Sequence, residues 1–228
     1  MNIQELKLEK ISDTLSVYQK DNVFSYGTDA VLLANFVKSC VKNLQGKHMC
    51  DLCSGTGIIP LLLCDYDKTI ICDAVEINSD ACEISELSAK YSGYSDRFNI
   101  HNADIKNIKE EFEAESFDFL TCNPPYMTAD CGKMCIDDYK TIARHEILCN
   151  INDVFRAAFH LLRTGGSIFI VYRSDRLSSL FHAASENRFE IKRMSTVCTK
   201  PFPSVMKLVL CEAKKDGAEG LILEGINV

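Results

Sequence analysis

The tetrapeptide Asn123-Pro124-Pro125-Tyr126 follows the apolar stretch Phe117 to Cys122 and gathers groups suited to holding an amine for alkylation. The asparagine offers a side-chain carbonyl acceptor, and the peptide carbonyl of Pro124 offers a second. Two successive prolines restrict φ so that both acceptors can face one point, between which a planar NH2 group fits. Tyr126 adds a flat face on which a base or an amide can stack. These four are the candidate catalytic residues. The same letters also suit a plain turn, because Asn-Pro commonly starts one, so the chemistry depends on what other elements bring beside them.

Upstream, Asp51-Leu52-Cys53-Ser54-Gly55-Thr56-Gly57 leaves a strand and enters a helix, where small residues let the backbone pass beside a nucleotide. Glu76 closes the next strand, followed by Ile77, at the place from which a carboxylate can accept both hydroxyls of a ribose. A dinucleotide site needs a third glycine, and that position is Pro60, so pyrophosphate binding is disfavoured. S-adenosylmethionine carries no phosphate and tolerates the looser loop. The expected contacts are Asp51 near the amino-acid end of that cofactor, the loop residues Ser54, Gly55 and Gly57, Glu76 and Ile77 at the ribose, and Asp104 and Ile105 at the adenine. Asn123 borders the same space. The competing reading of each acid is a helix cap or a surface charge.

The elements that must position these residues alternate. A short hairpin spans Lys7 to Gln19, and a helix follows from Thr28 to Val41, capped by Thr28 or Asp29. Then come a strand at 47–52, a helix at 57–65, a strand at 70–76, a helix at 79–92 and strands at 97–101 and 117–122. A helix at 151–162 and a strand at 167–172 continue the order. Such alternation predicts an α/β fold with a largely parallel sheet and helices on both faces. Phe189 to Cys198 and Val205 to Glu212 read as a C-terminal antiparallel hairpin.

At 228 residues the chain suits a single domain: a preface at 1–45, a catalytic core at 46–215 and a short tail at 216–228. No apolar run has membrane-spanning length, and Met1 to Glu5 lacks a signal pattern, so a cytoplasmic protein without membrane contact is expected. The 12 cysteines are scattered, many inside apolar periodicity, which argues for reduced core thiols rather than disulfides. Cys50-x2-Cys53 and Cys131-x3-Cys135 each resemble half a metal site, yet neither has a partner pair, and no metal is expected.

A net charge of −7 excludes an indiscriminate nucleic-acid binder, but the charge is uneven. Between Arg173 and Lys215 nine Lys or Arg meet four Asp or Glu, a local +5 that leaves −12 on the remainder. Lys192, Arg193 and Lys200 in this segment are candidate phosphate contacts; a solvated face is the alternative.

Taken in order, Ser25 to Leu33 with its Tyr-Gly-Thr-Asp, the loop Asp51 to Pro60, Val75-Glu76-Ile77, Asn123 to Tyr126 and Ile142-Ala143-Arg144-His145-Glu146 resemble one family. It is the bacterial tRNA(valine) adenine-N6 methyltransferases, NPPY-type class I enzymes that use S-adenosylmethionine, and the likeness covers roughly residues 8 to 215. The resemblance implies a Rossmann-like seven-stranded sheet and N6-methylation of the adenosine 3′ of the anticodon of a valine tRNA. It implies that Tyr26, Gly27 and Thr28, with Asp29, close over the methionine end of the cofactor. It also implies that Arg144 and His145 contact phosphate or a flanking base, in a monomer or a homodimer. NPPY and the glycine loop are shared with DNA adenine, protein glutamine and ribosomal RNA guanine-N2 methyltransferases. A glutamine amide or a ribosomal RNA amino group is therefore the alternative substrate, and a cofactor-binding protein without turnover the alternative class. The chain departs from relatives at Cys53, where many have glycine, a change compatible with the turn if its φ is negative. It departs again at the C-terminus, which lacks a proline- and tyrosine-containing tail.

Overall fold

The computed structural model describes residues 6–20, 26–124, 149–198 and 206–227. Ten strands and six α-helices run in the order β1 (Lys7–Lys10), β2 (Ser16–Gln19), α1 (Thr28–Cys40), β3 (His48–Leu52), α2 (Ile58–Tyr66), β4 (Ile71–Glu76), α3 (Ser79–Tyr91) and β5 (Phe98–Asn102) among the described residues. They continue as α4 (Ile108–Glu111), β6 (Phe117–Cys122), α5 (Ile151–Leu161), β7 (Leu162–Arg173), α6 (Leu177–Glu186), β8 (Phe189–Cys198), β9 (Leu208–Lys215) and β10 (Ile222–Asn227).

Strands β3 to β10 form one eight-stranded sheet in the order β10-β8-β9-β7-β6-β3-β4-β5. The five strands from β7 to β5 are mutually parallel, β9 runs antiparallel to both β7 and β8, and β10 lies parallel to β8. Both faces are covered, which is why the central strands read as nearly continuous apolar runs. On one face Met49, Cys72, Ala74, Phe119 and Phe169 pack under α1 and α2. On the other, Cys50, Leu52, Val75, Leu120 and Ile168 pack under α5 and α6. The β1-β2 hairpin leans on α3, where the Tyr18 N–H donates to Ser88 Oγ (2.9 Å) and the Ser16 N–H to Ser92 Oγ (3.1 Å).

The order of elements, the parallel sheet and the C-terminal antiparallel pair follow the sequence expectation; four details differ. The stretch expected as a tail contains an eighth strand, β10, whose Gly225 and solvent-facing Leu223 weaken its sequence signal. Helix α1 is capped by Gly27 in extended conformation, without a side-chain bond, rather than by Thr28 or Asp29. Strand β7 starts at Leu162, directly after α5, through the register shift opposite Phe117 and Phe119. Helices α4 and α6 add to the expected elements; in α6 Leu180, Ala183 and Ala184 are buried while Phe181 is exposed, so its apolar stripe is narrow. No described helix is long and apolar enough to cross a membrane.

Candidate active site

The loop after β3, the end of β4 and the end of β6 meet at the carboxyl ends of three adjacent parallel strands. There the chain connection changes direction from β4 on one side of β3 to β6 on the other, the usual place for a ligand crevice in an open α/β sheet.

Asp51 organises this corner from within. It is fully buried; its Oδ2 accepts from Ser54 Oγ and its Oδ1 from Thr121 Oγ1, each at 2.6 Å. Burial pushes its carboxyl up to about 7, against the pull of the two hydroxyls. With both oxygens occupied inside the protein, Asp51 shapes the loop and ties it to β6. Its expected place is at the amino-acid end of a cofactor; in the structure its two oxygens face Ser54 and Thr121. Thr121, two residues before Asn123, was missed by sequence reasoning; its signal was a hydroxyl near the end of β6, and in the sheet it stands opposite Asp51 of β3.

Glu76 stands at the rim. Its Oε2 accepts the Gly55 N–H at 2.8 Å and its Oε1 the Asn78 N–H at 2.9 Å, so the loop after β3 and the turn after β4 lock the carboxylate. A carboxylate oxygen has a second acceptor site, so both remain able to take a ribose hydroxyl. Gly55 adopts φ +57°, and no atom lies within 4 Å of where a Cβ would stand, which leaves open space at the loop for a bound molecule. Gly57 serves packing instead: a Cβ there would sit 2.1 Å from Ser85 Oγ and 3.3 Å from the Phe98 ring. Pro60 occupies the first turn of α2, removing an N–H that a pyrophosphate would use. The donor and acceptor set thus fits a nucleoside without phosphates.

Asp104 caps a turn of 3-10 helix, its Oδ1 accepting the Lys106 N–H at 2.9 Å, as the cap reading allowed. Ile77 is exposed beside Glu76, whereas Ile105 is buried and packs in the core cluster under α5. Tyr26 packs against the core under α1, and burial together with a bond to Glu9 pushes its hydroxyl up to about 12. That hydroxyl joins the N-terminal hairpin through Glu9. Gly27 and Thr28 are exposed at the start of α1.

Asn123 leaves β6 beside this corner, and its Nδ2 donates to Asp29 Oδ2 at 3.3 Å. Pro124 follows it, buried. Pro125, Tyr126, Arg144, His145 and Lys200 lie outside the described residues, as do Cys131 and Cys135. The chain returns at Cys149 into a capping box, in which Asn150 accepts the Asp153 N–H (3.1 Å) and Asp153 accepts the Asn150 N–H (3.1 Å). This brings Cys149 Sγ within 4.0 Å of Cys53 Sγ.

Cys53 has φ +56°, so a side chain is held in the left-handed region and the condition of a negative φ is not met. The Cys122 thiol beside it pushes Cys53 well up, and Cys53 does the same to Cys149, so these groups stay protonated at neutral pH. Nine of the described cysteines (Cys40, Cys50, Cys53, Cys64, Cys72, Cys82, Cys122, Cys149 and Cys211) are free thiols, and no three His, Cys, Asp or Glu among the described residues group as metal ligands.

Two histidines, one at the start of β3 and one near the end of β5, join through a third residue. His48 and His101 both reach Asp73, at 2.5 and 2.7 Å, below the crevice on the sheet face of α5. Burial raises the Asp73 carboxyl, yet the two imidazoles outweigh it and hold it below its ordinary value.

The basic C-terminal segment is largely satisfied internally. Lys192 Nζ donates to the carbonyls of Ala218 (2.7 Å) and Glu219 (3.2 Å), pinning the crossing from β9 to β10. Arg193 pairs with Glu224 of β10 at 3.2 Å and approaches Glu212 of β9 at 4.0 Å. Lys215 is buried and reaches Glu115 and the Leu162 carbonyl.

Sheet order, crevice and loop define the class I, Rossmann-like methyltransferase fold, and solved structures with that fold are similar to this one. TrmN from Thermus thermophilus superposes with a TM-score of 0.60 at 19% identity, covering 82% of this chain and 52% of that one. Geranyl diphosphate C-methyltransferase from Streptomyces coelicolor, solved with S-adenosyl-L-homocysteine, gives 0.59 at 11% identity over 81% and 80%. The chain belongs to the family described as Methyltransferase small domain, which matches residues 14–187. It is 28% identical to the tRNA1(Val) (adenine(37)-N6)-methyltransferase of Porphyromonas gingivalis, over 80% of this chain and 72% of the relative. The enzyme of that name from Flavobacterium psychrophilum is 30% identical over 70% and 67%.

Proposed function

We propose that this protein transfers a methyl group from S-adenosylmethionine to N6 of an adenosine in tRNA, the adenosine 3′ of the anticodon of a valine tRNA. The observation that carries this reading is the placement of Asn123 and Pro124 at the end of β6, beside the loop that Glu76 and Asp51 organise. The names of the relatives support the choice of substrate.

Glu76 would hold the ribose of the cofactor, the Ser54–Gly57 loop would pass along it, and Ile77 and Asp104 would border its adenine. S-adenosylmethionine, when bound, supplies an electrophilic methyl on a sulfonium. Asn123 Oδ1 and the Pro124 carbonyl accept the two N–H bonds of the exocyclic amine. Adenine N6 is a weak nucleophile because its lone pair is delocalised into the ring. Acceptors that draw the N–H bonds out of plane localise that lone pair and stabilise the positive charge that develops on nitrogen. Neither acceptor is a strong base, so the proton leaves to water after transfer. Tyr126 would stack on the adenine ring. Arg144, His145 and Lys200 would meet the surrounding RNA, in a protein of the cytoplasm.

The test is transfer of tritium from labelled S-adenosylmethionine into total tRNA from a strain lacking this gene, followed by nucleoside analysis. Label in N6-methyladenosine of a valine tRNA is expected. Label only in a protein fraction would move the substrate to a glutamine amide, the group named in the Clostridium acetobutylicum release factor glutamine methyltransferase, which is 30% identical over 49% of this chain. A rise in melting temperature with S-adenosylmethionine is also expected from ligand linkage; its absence at saturating ligand would remove the cofactor assignment.

A further inference from the structure

We infer that Asp29 is a positioning residue for Asn123, setting which end of its side-chain amide faces the substrate amine. The inference rests on the methyl-transfer reading and gives the Tyr-Gly-Thr-Asp segment a task in it.

Asp29 sits in the first turn of α1, where unpaired backbone N–H groups and the helix dipole favour a carboxylate. Its Oδ1 accepts the Ala30 N–H at 3.0 Å, a donor that also reaches the Gly27 carbonyl at 3.2 Å. Its Oδ2 accepts Asn123 Nδ2 at 3.3 Å, across 94 residues of chain. The carboxylate is therefore held on one side by its own helix and presented on the other to the candidate catalytic asparagine. Gly27 makes room for it: a Cβ at residue 27 would lie 2.5 Å from Asp29 Oδ1.

An ionised carboxylate can only accept, so it fixes the direction of the amide. Nδ2 must face Asp29, and Oδ1 then turns to the opposite side, where the amine needs an acceptor. A flipped amide would set Oδ1 against the Asp29 carboxylate and offer N–H bonds to an amine that already carries its own. Both oxygens of Asp29 are needed for this. Asparagine at position 29 has the same shape but one acceptor. If its oxygen faces Ala30, its NH2 faces Asn123 and favours the flip; if its oxygen faces Asn123, its NH2 opposes the Ala30 N–H.

The test is D29N, with G27A as a second variant that displaces the carboxylate without changing it. Each is assayed by single-turnover methyl transfer, cofactor affinity, melting temperature and the 1H–15N shifts of the Asn123 side-chain amide. D29N is expected to slow transfer about tenfold or more and to move the Asn123 amide shifts, with cofactor affinity and KM for tRNA within about twofold of wild type. In an N123A background, D29N is expected to have little further effect, because the group it orients is gone. Wild-type rates in D29N, or an equal loss with and without Asn123, would overturn the inference. So would a loss that tracks cofactor affinity or melting temperature. A silent wild type in the same assay would instead sink the methyl-transfer reading, and unmoved amide shifts in D29N would sink this inference alone.

Discussion

The crevice corner built by β3, β4 and β6 and the outer edge built by β8, β9 and β10 both carry charged residues that invite a functional reading, yet they use their charges differently. At the corner, the acid that closes β4 is locked by two backbone N–H groups while keeping acceptor sites turned outward, and the deeper Asp51 holds the loop from below. At the edge, Lys192 and Arg193 end on carbonyls and carboxylates of the same chain. A count of charges along a segment predicts a docking surface only when the fold leaves those charges unpaired. A carboxylate after a strand, followed by a helix, has few internal partners other than the N–H groups of its own turn, so its position alone says more.

Four experiments test this contrast, and the largest effect is expected at the corner. Asn123→Ala should lower turnover by about 10²–10³-fold, the range for losing one preorganised acceptor or donor at a reacting centre, with cofactor affinity within about twofold. Turnover that merely followed cofactor occupancy would show that the residue belongs to the cofactor site.

Next is the buried acid. Asp51 in the folded protein releases its proton near pH 7, and in the unfolded chain near its ordinary value of 3.8. Between those values the folded state holds a proton that the unfolded state has lost, so stability from this group falls as pH rises through the window. Asp51→Asn should flatten that fall and, at pH 8, raise stability by on the order of 2–4 kcal/mol, read by denaturant titration at several pH values. An unchanged pH profile would mean that Asp51 is ionised throughout.

A smaller gain is expected at Cys53. Cys53→Gly removes the left-handed penalty of a side chain at φ +56°, partly offset by the greater freedom of glycine in the unfolded chain, for a net gain of up to roughly 1 kcal/mol. A loss of stability would show that the contacts of its thiol with Cys149 and Cys122 outweigh the backbone strain.

The smallest effect on function is expected at the edge. Reversing both Lys192 and Arg193 to Glu should lower the melting temperature by loosening β10 while leaving tRNA affinity nearly unchanged at moderate salt. A large fall in affinity with the melting temperature intact would return these two side chains to the RNA surface, and with it the value of the local charge count.

Much of this architecture is legible in the sequence. Period and turn residues place β3, α2, β4, α3 and β6 within a residue or two, because strands buried on both faces and helices with glycine or asparagine at their ends leave strong local marks. The same marks fail at β10, where an edge strand containing glycine carries no alternation, and at the start of α1, where a glycine stands as the cap. The glycine loop, Glu76 and Asn123 can be singled out as candidates from spacing alone, since each lies at or just after the end of a strand and strand ends converge in a parallel sheet.

What the amino-acid order determined by itself was the α/β class and a set of candidate residues, among them a glycine loop that lacks the third glycine of a pyrophosphate site and the paired acceptors of Asn123 and Pro124. These depend on residue type and local succession. Only the tertiary structure decided that Asp51 turns inward to Ser54 and Thr121, that Tyr26 is bound to Glu9, that Lys192 and Arg193 are committed to β10 and the turn before it, and that Asp29 meets Asn123. Each of these, apart from the short Asp51–Ser54 bond, is a hydrogen bond or ion pair between residues distant in the chain. Its existence depends on which strands become neighbours and how deeply water is excluded, and neither is written in local sequence.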